Sequence, residues 1–307
     1  MTGATPGAGW PIAGLLLNAL VWGLSWWPFK QLQTLGLHPL WATASVFGLS
    51  WLAIVLWCLG RGVALRTWRQ HPGLWLLLIA SGLTNVGFNW AVTVGDVVRV
   101  VLLFYLMPAW SVLLAWALLG ERPTLQSLLR LLLALAGLAT VLHQPGEPWP
   151  LPDSLADVLA LLGGFCFALT NILLLQLRHA PESARMLAMF GGGTLMAVLT
   201  AVLGTAGAVV VQTELWQAQW LGPLLMLSLA FLGGNLALQY GAARLPAHTT
   251  ALVMLSEVVF AAVSSAILGA SQWDHRTLLG GALILLAALL SVRWPARPRT
   301  AASENRP

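Results

Sequence analysis

The chain is 307 residues long, 58% of them hydrophobic and only 8% charged, with a mean hydropathy of +0.81. Soluble domains carry about 25% charged residues, so this composition excludes a soluble enzyme or a disordered chain and predicts an all-α integral membrane protein. The formal charge of +5 is scattered over short breaks between apolar runs, which excludes a nucleic-acid-binding face; Cys58 and Cys166 lie inside apolar runs and exclude a disulfide framework.

In chain order, apolar runs bounded by glycine, proline and charge predict spans near 10–30, 38–60, 72–94, 97–119 and 126–142, then 155–177, 185–210, 219–242, 247–269 and 276–294. The N-terminus lacks a basic signal region, and the first run is long enough to be a retained span. Between the fifth and sixth runs, His143 to Asp153 holds Pro145, Pro148, Pro150 and Pro152. This break divides the chain into residues 1–145 and 146–307, each with five spans. An odd number of crossings makes the second half enter the membrane from the opposite face, so the ten helices are expected to form two inverted five-helix repeats.

The halves also echo each other residue by residue. Asn85-Val86-Gly87-Phe88-Asn89-Trp90-Ala91 is matched in chemical class by Asn235-Leu236-Ala237-Leu238-Gln239-Tyr240-Gly241, and Val101 to Gly120 aligns with Thr250 to Gly269. The order amide, amide, aromatic carries this match more than the abundant leucines do. Charge supplies a second test. With the N-terminus in the cytoplasm, twelve arginines fall on the cytoplasmic side and only Lys30, Arg99 and Arg276 on the other. That asymmetry predicts a multi-pass protein of a bacterial inner (plasma) membrane with both termini cytoplasmic.

Glu257 lies near the middle of the ninth run, where a carboxylate costs several kcal/mol unless paired, hydrated or protonated. It is either a structural carboxyl bonded to a neighbouring helix or a site for a proton or a substrate amine. Asn85 and Asn89 stand four apart on one helical face, and Asn235 and Gln239 repeat that face in the second half. Such amides line a cavity or join helices; cavity lining is favoured because symmetric spans meet at the midplane. Trp90 and Tyr240 stand beside them as cavity walls. Asn18, Trp22 and Ser25 in the first span are matched by Gly163, Phe167 and Thr170 in the sixth, with Asn171 added there. Arg99 begins the fourth run three residues after Asp96, a spacing that allows a pair. It either snorkels to the headgroups, attracts a carboxylate-bearing solute, or locks to Asp96 or Glu257 in one state; His248 is its counterpart. Tyr105 and Pro108 lie deeper in the same run. The sole lysine, Lys30, follows no Walker A loop, no HExxH or GxSxG occurs, and the histidines are scattered. Nothing here implies an enzyme, a metal or a cofactor.

Ala19-Leu20-Val21-Trp22-Gly23, and Leu106-Met107-Pro108 running to Gly120-Glu121-Arg122, resemble the drug/metabolite transporter superfamily, specifically its ten-helix EamA-type members. Leu255-Ser256-Glu257 through Gly269 resembles the same pattern in the second half, although Ala270 replaces an expected acidic residue. The resemblance implies a central cavity lined by the first, third, fourth, sixth, eighth and ninth spans, and export of small metabolites. The resulting expectation is a secondary-active transporter of small amphipathic metabolites such as amino acids, working by alternating access. Its partners are a small-molecule substrate and the lipid bilayer. Proton coupling, facilitated diffusion and exchange stay open, as do monomer and homodimer. Efflux of hydrophobic cations and a membrane-embedded enzyme or sensor are the alternatives.

Overall fold

The structure is a computed structural model that describes residues 9–60, 67–120, 124–143, 152–177, 179–207, 210, 217–242, 253–254, 256–270 and 274–293; of Pro108 and Gln239 only the backbone is described. His248 lies outside the described residues. Every element among them is a helix, as an apolar solvent demands of a backbone that must satisfy its own hydrogen bonds. In chain order these are α1 (Gly9–Thr34), α2 (Pro39–Gly60), α3 (Thr67–Gln70), α4 (Gly73–Val94), α5 (Val97–Phe104), α6 (Met107–Leu119), α7 (Leu125–Leu142), α8 (Leu155–Gln176), α9 (Glu182–Ala206), a single 3-10 turn (Ala218–Trp220), α10 (Leu221–Ala242), α11 (Ser256–Ile267) and α12 (His275–Arg293). Seven stretches are long and apolar enough to cross a membrane; Leu131–Thr140, Ser256–Ile267 and Leu278–Ala287 are shorter apolar helical stretches.

The fourth apolar run is not one continuous helix. Asp96 caps α5 by accepting the Arg99 backbone N–H at 2.9 Å, and α5 ends at Phe104. Tyr105 and Leu106 form a turn before α6. Pro108, near the start of α6, has no N–H to offer the Phe104 carbonyl, so the sequence itself breaks the ladder here. Gly120 ends α6 in the left-handed conformation at φ 68°, and Gly269 follows α11 at φ 64°.

Helices in lipid gain little from the hydrophobic effect and associate instead through close packing at small residues. At the centre, α4 is sandwiched between α8 and α9. A Cβ on Gly82 would run into the Gly192 carbonyl oxygen, and one on Gly192 into that of Leu78, so only glycine permits this approach. Gly87 of α4 similarly sits 2.7 Å, measured from an added Cβ, from the Leu159 carbonyl oxygen of α8. On the other side α10 packs against α1, where an added Cβ on Gly14 would lie 2.8 Å from the Ala237 carbonyl oxygen. Further contacts pair α2 with α9, α7 with α12, α1 and α5 with α11, and α5 and α6 with α8. Enclosure is uneven: 78% of the apolar stretch of α4 is buried, against 28% of Ala218–Leu238.

Candidate functional site

The break between α5 and α6 aims Tyr105 at the start of α11. Its hydroxyl donates to Glu257 Oε2 at 3.1 Å and reaches the Met254 carbonyl oxygen at 3.5 Å. Tyr105 is 3% exposed and Glu257 9%, so this is a buried carboxyl with a neutral donor. Gly23 of α1 lets the backbone of α11 come close, since an added Cβ would stand 2.8 Å from the Glu257 carbonyl oxygen. One turn earlier on α1, Asn18 is 1% exposed and donates through Nδ2 to the Met254 thioether at 3.7 Å. Its Oδ1 finds no donor among the described residues. An unpaired buried acceptor costs about 1–3 kcal/mol, a penalty that marks the position for attention. Met254 therefore joins the two polar groups, its sulfur against Asn18 and its carbonyl against Tyr105.

Aromatic rings wall this cluster. Trp22 meets Phe231 at 4.6 Å and Phe88 at 6.1 Å; Phe88 meets Phe104 at 4.9 Å, and Phe104 meets Tyr105 at 6.3 Å and Phe167 at 5.5 Å. Trp26, one turn after Trp22, ties α1 to α11 through Nε1 donating to Ser264 Oγ at 3.0 Å. Met254, Phe104 and Phe231 did not stand out in the sequence, because thioethers and phenyl rings are ordinary packing residues in any apolar helix.

The other sequence candidates are dispersed. Ser25 donates to the Trp22 carbonyl within α1. Asn85 spends its amide on the Ser81 carbonyl of its own helix at 2.8 Å, while Asn89 joins α4 to α2 through Thr43 Oγ1 at 3.3 Å and keeps an unpartnered Oδ1. Asn89 is thus an interhelical tie. Trp90 is buried and packs edge-on against His38 at 5.4 Å. Asn235 is partly buried, whereas Tyr240 and Asn171 are exposed, and the side chain of Gln239 lies outside the description. Asn171 is accessible at its place on α8.

Arg99 has a partner that sequence spacing did not indicate. Its Nε and Nη2 donate to the two oxygens of Asp157 at 2.9 and 2.8 Å, and Nη2 lies 3.5 Å from Asp153. Asp157 is 1% exposed, and Arg99 keeps 24%. The neighbouring Asp157 carboxylate holds the Asp153 carboxyl above its ordinary range. Asp96, at the three-residue spacing, also accepts the Arg99 backbone N–H as the cap of α5.

A helical bundle with stretches of membrane-spanning length and a polar cluster buried at a broken helix is a multi-pass membrane protein in its make-up. Residues 9–143 match the EamA-like transporter family. Fifteen solved chains are similar in fold; one crystal structure aligns with a TM-score of 0.58 at 17% identity, covering 95% of this chain and 99% of its own, a likeness of fold alone. None of the curated proteins matches the chain. Over residues 9–143 the chain is of the EamA-like transporter family, part of the drug/metabolite transporter superfamily. That match suggests a membrane transporter of the same type, which would meet a small-molecule substrate and the lipid bilayer.

Proposed function

We propose that this transporter is a secondary-active exporter of small amphipathic metabolites, amino acids or their derivatives, built from two inverted five-helix repeats, residues 1–145 and 146–307, that alternate access to a central cavity. A reciprocity of contacts carries the reading. In the register that pairs Asn18 with Gly163, Gly14 of α1 is the counterpart of Leu159 of α8; in the register that pairs Asn85 with Asn235, Gly87 is the counterpart of Ala237. Gly87 meets Leu159 and Gly14 meets Ala237, the same contact made twice between the halves with the partners exchanged, as a pseudo-two-fold axis requires. The pairing of α2 with α9 behaves likewise. Phe47-Gly48 aligns with Phe190-Gly191; the two phenylalanine rings face each other at 5.7 Å, Gly48 meets Thr194, and Gly191 meets Trp51.

The arginine distribution supports insertion in a bacterial inner membrane with cytoplasmic termini. Glu257, the carboxyl buried at the central cluster, is the group that exchanges a proton or binds an amine as the cavity changes sides. Efflux of hydrophobic cations is the second reading, favoured by one observation: Arg99, the basic residue nearest the presumed outer mouth, is already engaged by two carboxylates.

Reconstitution into liposomes tests the proposal. The protein should move members of a panel of amino acids, amines and dyes, at a rate that changes with an imposed pH gradient. Glu257→Gln should abolish the pH dependence while inserting normally. Silence across the panel sinks the transport reading, and pH dependence retained by Glu257→Gln sinks the proton step alone.

A further inference from the structure

The central cluster presents hydrogen-bond acceptors, and each donor named in it is already engaged. The Tyr105 hydroxyl is spent on Glu257. Asn18 points its nitrogen at a thioether, which accepts and does not donate, so the orientation of the amide is settled and its oxygen is the orphaned atom. That sulfur is a weak acceptor at the far end of a flexible side chain. Displacing it would cost Asn18 little, and the amide, freed to turn over, would present its oxygen to a strong N–H donor in the sulfur's place. Trp22, Phe104 and Tyr105 bring aromatic rings to this cluster, and an aromatic face, unlike an edge, favours a cation. No contact of Asn18 or Glu257 among the described residues involves a basic side chain.

The geometry points to a site for a cationic amine that still carries N–H bonds, an arylalkyl or alkyl ammonium, with Glu257 as the counter-charge and Asn18 Oδ1 as the N–H acceptor. This rests on the transporter reading above and narrows its cargo. A zwitterionic amino acid brings a carboxylate that would find only acceptors and aromatic faces, with Arg99 held by Asp157 and Asp153. A quaternary ammonium satisfies Glu257 but leaves the Asn18 oxygen unpaired, and a site built to hydrogen-bond an N–H discriminates strongly against an analogue that lacks it.

Three probes of one shape separate these cases: 2-phenylethylamine, its N,N,N-trimethyl derivative, and phenylalanine. Binding is read on the purified full chain in detergent as a ligand-dependent rise in melting temperature, and transport as uptake into proteoliposomes. The primary amine should bind at least about tenfold more tightly than the quaternary analogue, and phenylalanine more weakly than either. Asn18→Leu, close in shape, should erase the preference for the primary amine and leave quaternary binding within about twofold. Asn18→Asp should strengthen amine binding, an opposite effect that a merely misfolded variant cannot produce. Glu257→Gln should weaken both cations together. Equal affinity for the two cations, or equal losses of both in Asn18→Leu, overturns the assignment. If phenylalanine is carried and neither cation binds, this inference fails and the transporter reading stands; if none of the three binds or moves and the wider panel is also silent, both fail.

Discussion

Arg99 on α5 and Asp157 on α8 form a two-point ion pair, Nε to Oδ1 at 2.9 Å and Nη2 to Oδ2 at 2.8 Å, in which the carboxylate is 1% exposed. The pair clamps the half-helix that carries Tyr105 to the first helix of the second half. It also neutralises a cation that would otherwise stand at the end of the fourth run. Asp157→Asn should therefore lower thermal stability by about 2–4 kcal/mol, because it leaves a half-buried guanidinium facing a neutral amide. Asp153, with a side chain 46% exposed, should matter far less: Asp153→Asn should cost under about 1 kcal/mol. Melting curves of both variants in detergent decide this, and equal losses would mean the network is shared.

The contact between α4 and α9 depends on the absence of side chains at Gly82 and Gly192. A Cβ at either position would run into a carbonyl oxygen on the facing helix, and backbone cannot yield as a side-chain tip can. Gly192→Ala should destabilise the protein by about 2 kcal/mol or more. Gly222→Ala, near the start of α10 with nothing within 4 Å, should be neutral or mildly stabilising. The pair of melting temperatures separates close packing from helix propensity.

Gly120 and Gly269 make a different claim. Each has open space around it and a left-handed backbone. Replacement by alanine should cost about 1–2 kcal/mol at each position through conformation alone, and the two losses should match. Unfolding of the two single variants and of the double variant measures this; the double should show the sum.

His38 stands between α1 and α2, where its Nδ1 accepts the Leu40 N–H at 3.2 Å and its ring packs on Trp90. Burial lowers its pKa below the ordinary 6.5. Above pH 6.5 both folded and unfolded chains hold it neutral and the stability is complete. Below that the unfolded chain takes up the proton first, so stability should fall as pH drops from 6.5 toward the lower folded-state value. His38→Asn keeps an acceptor for the Leu40 N–H and should flatten that part of the pH profile. Melting temperatures taken from about pH 8 to about pH 5 check the sign.

Much of the architecture was legible before any coordinates. Most of the helices begin and end within a few residues of the apolar runs, because in lipid a long apolar segment has one stable conformation; the fourth run holds two helices, and the described helix of the ninth begins at Ser256. The weight placed on Glu257 also came from sequence, since a carboxyl in an apolar run is expensive wherever it points. Its connection to Tyr105 and Asn18 did not, because those residues stand 152 and 239 positions away. Spacing rules reach one or two helical turns; they suggested Asp96 for Arg99 and could not see Asp157, 58 residues on. The amide face of α4 was readable as polar and inward, yet which neighbour each amide met depended on helices from elsewhere in the chain.

The sequence by itself determined that this is an all-α membrane protein whose first half is EamA-like, since the composition, the apolar run lengths and the motif residues all act locally along the chain. Tertiary structure decided which acceptors were left unpaired, which cation was captured, and how unevenly α4 and α10 are enclosed. The physical reason is the register between helices. Carbonyl contacts at Gly82, Gly192 and Gly23 set where one helix stops against another, and an ångström of slip there changes which polar atom finds a partner. That register is a property of paired surfaces, and no single segment of the chain carries it.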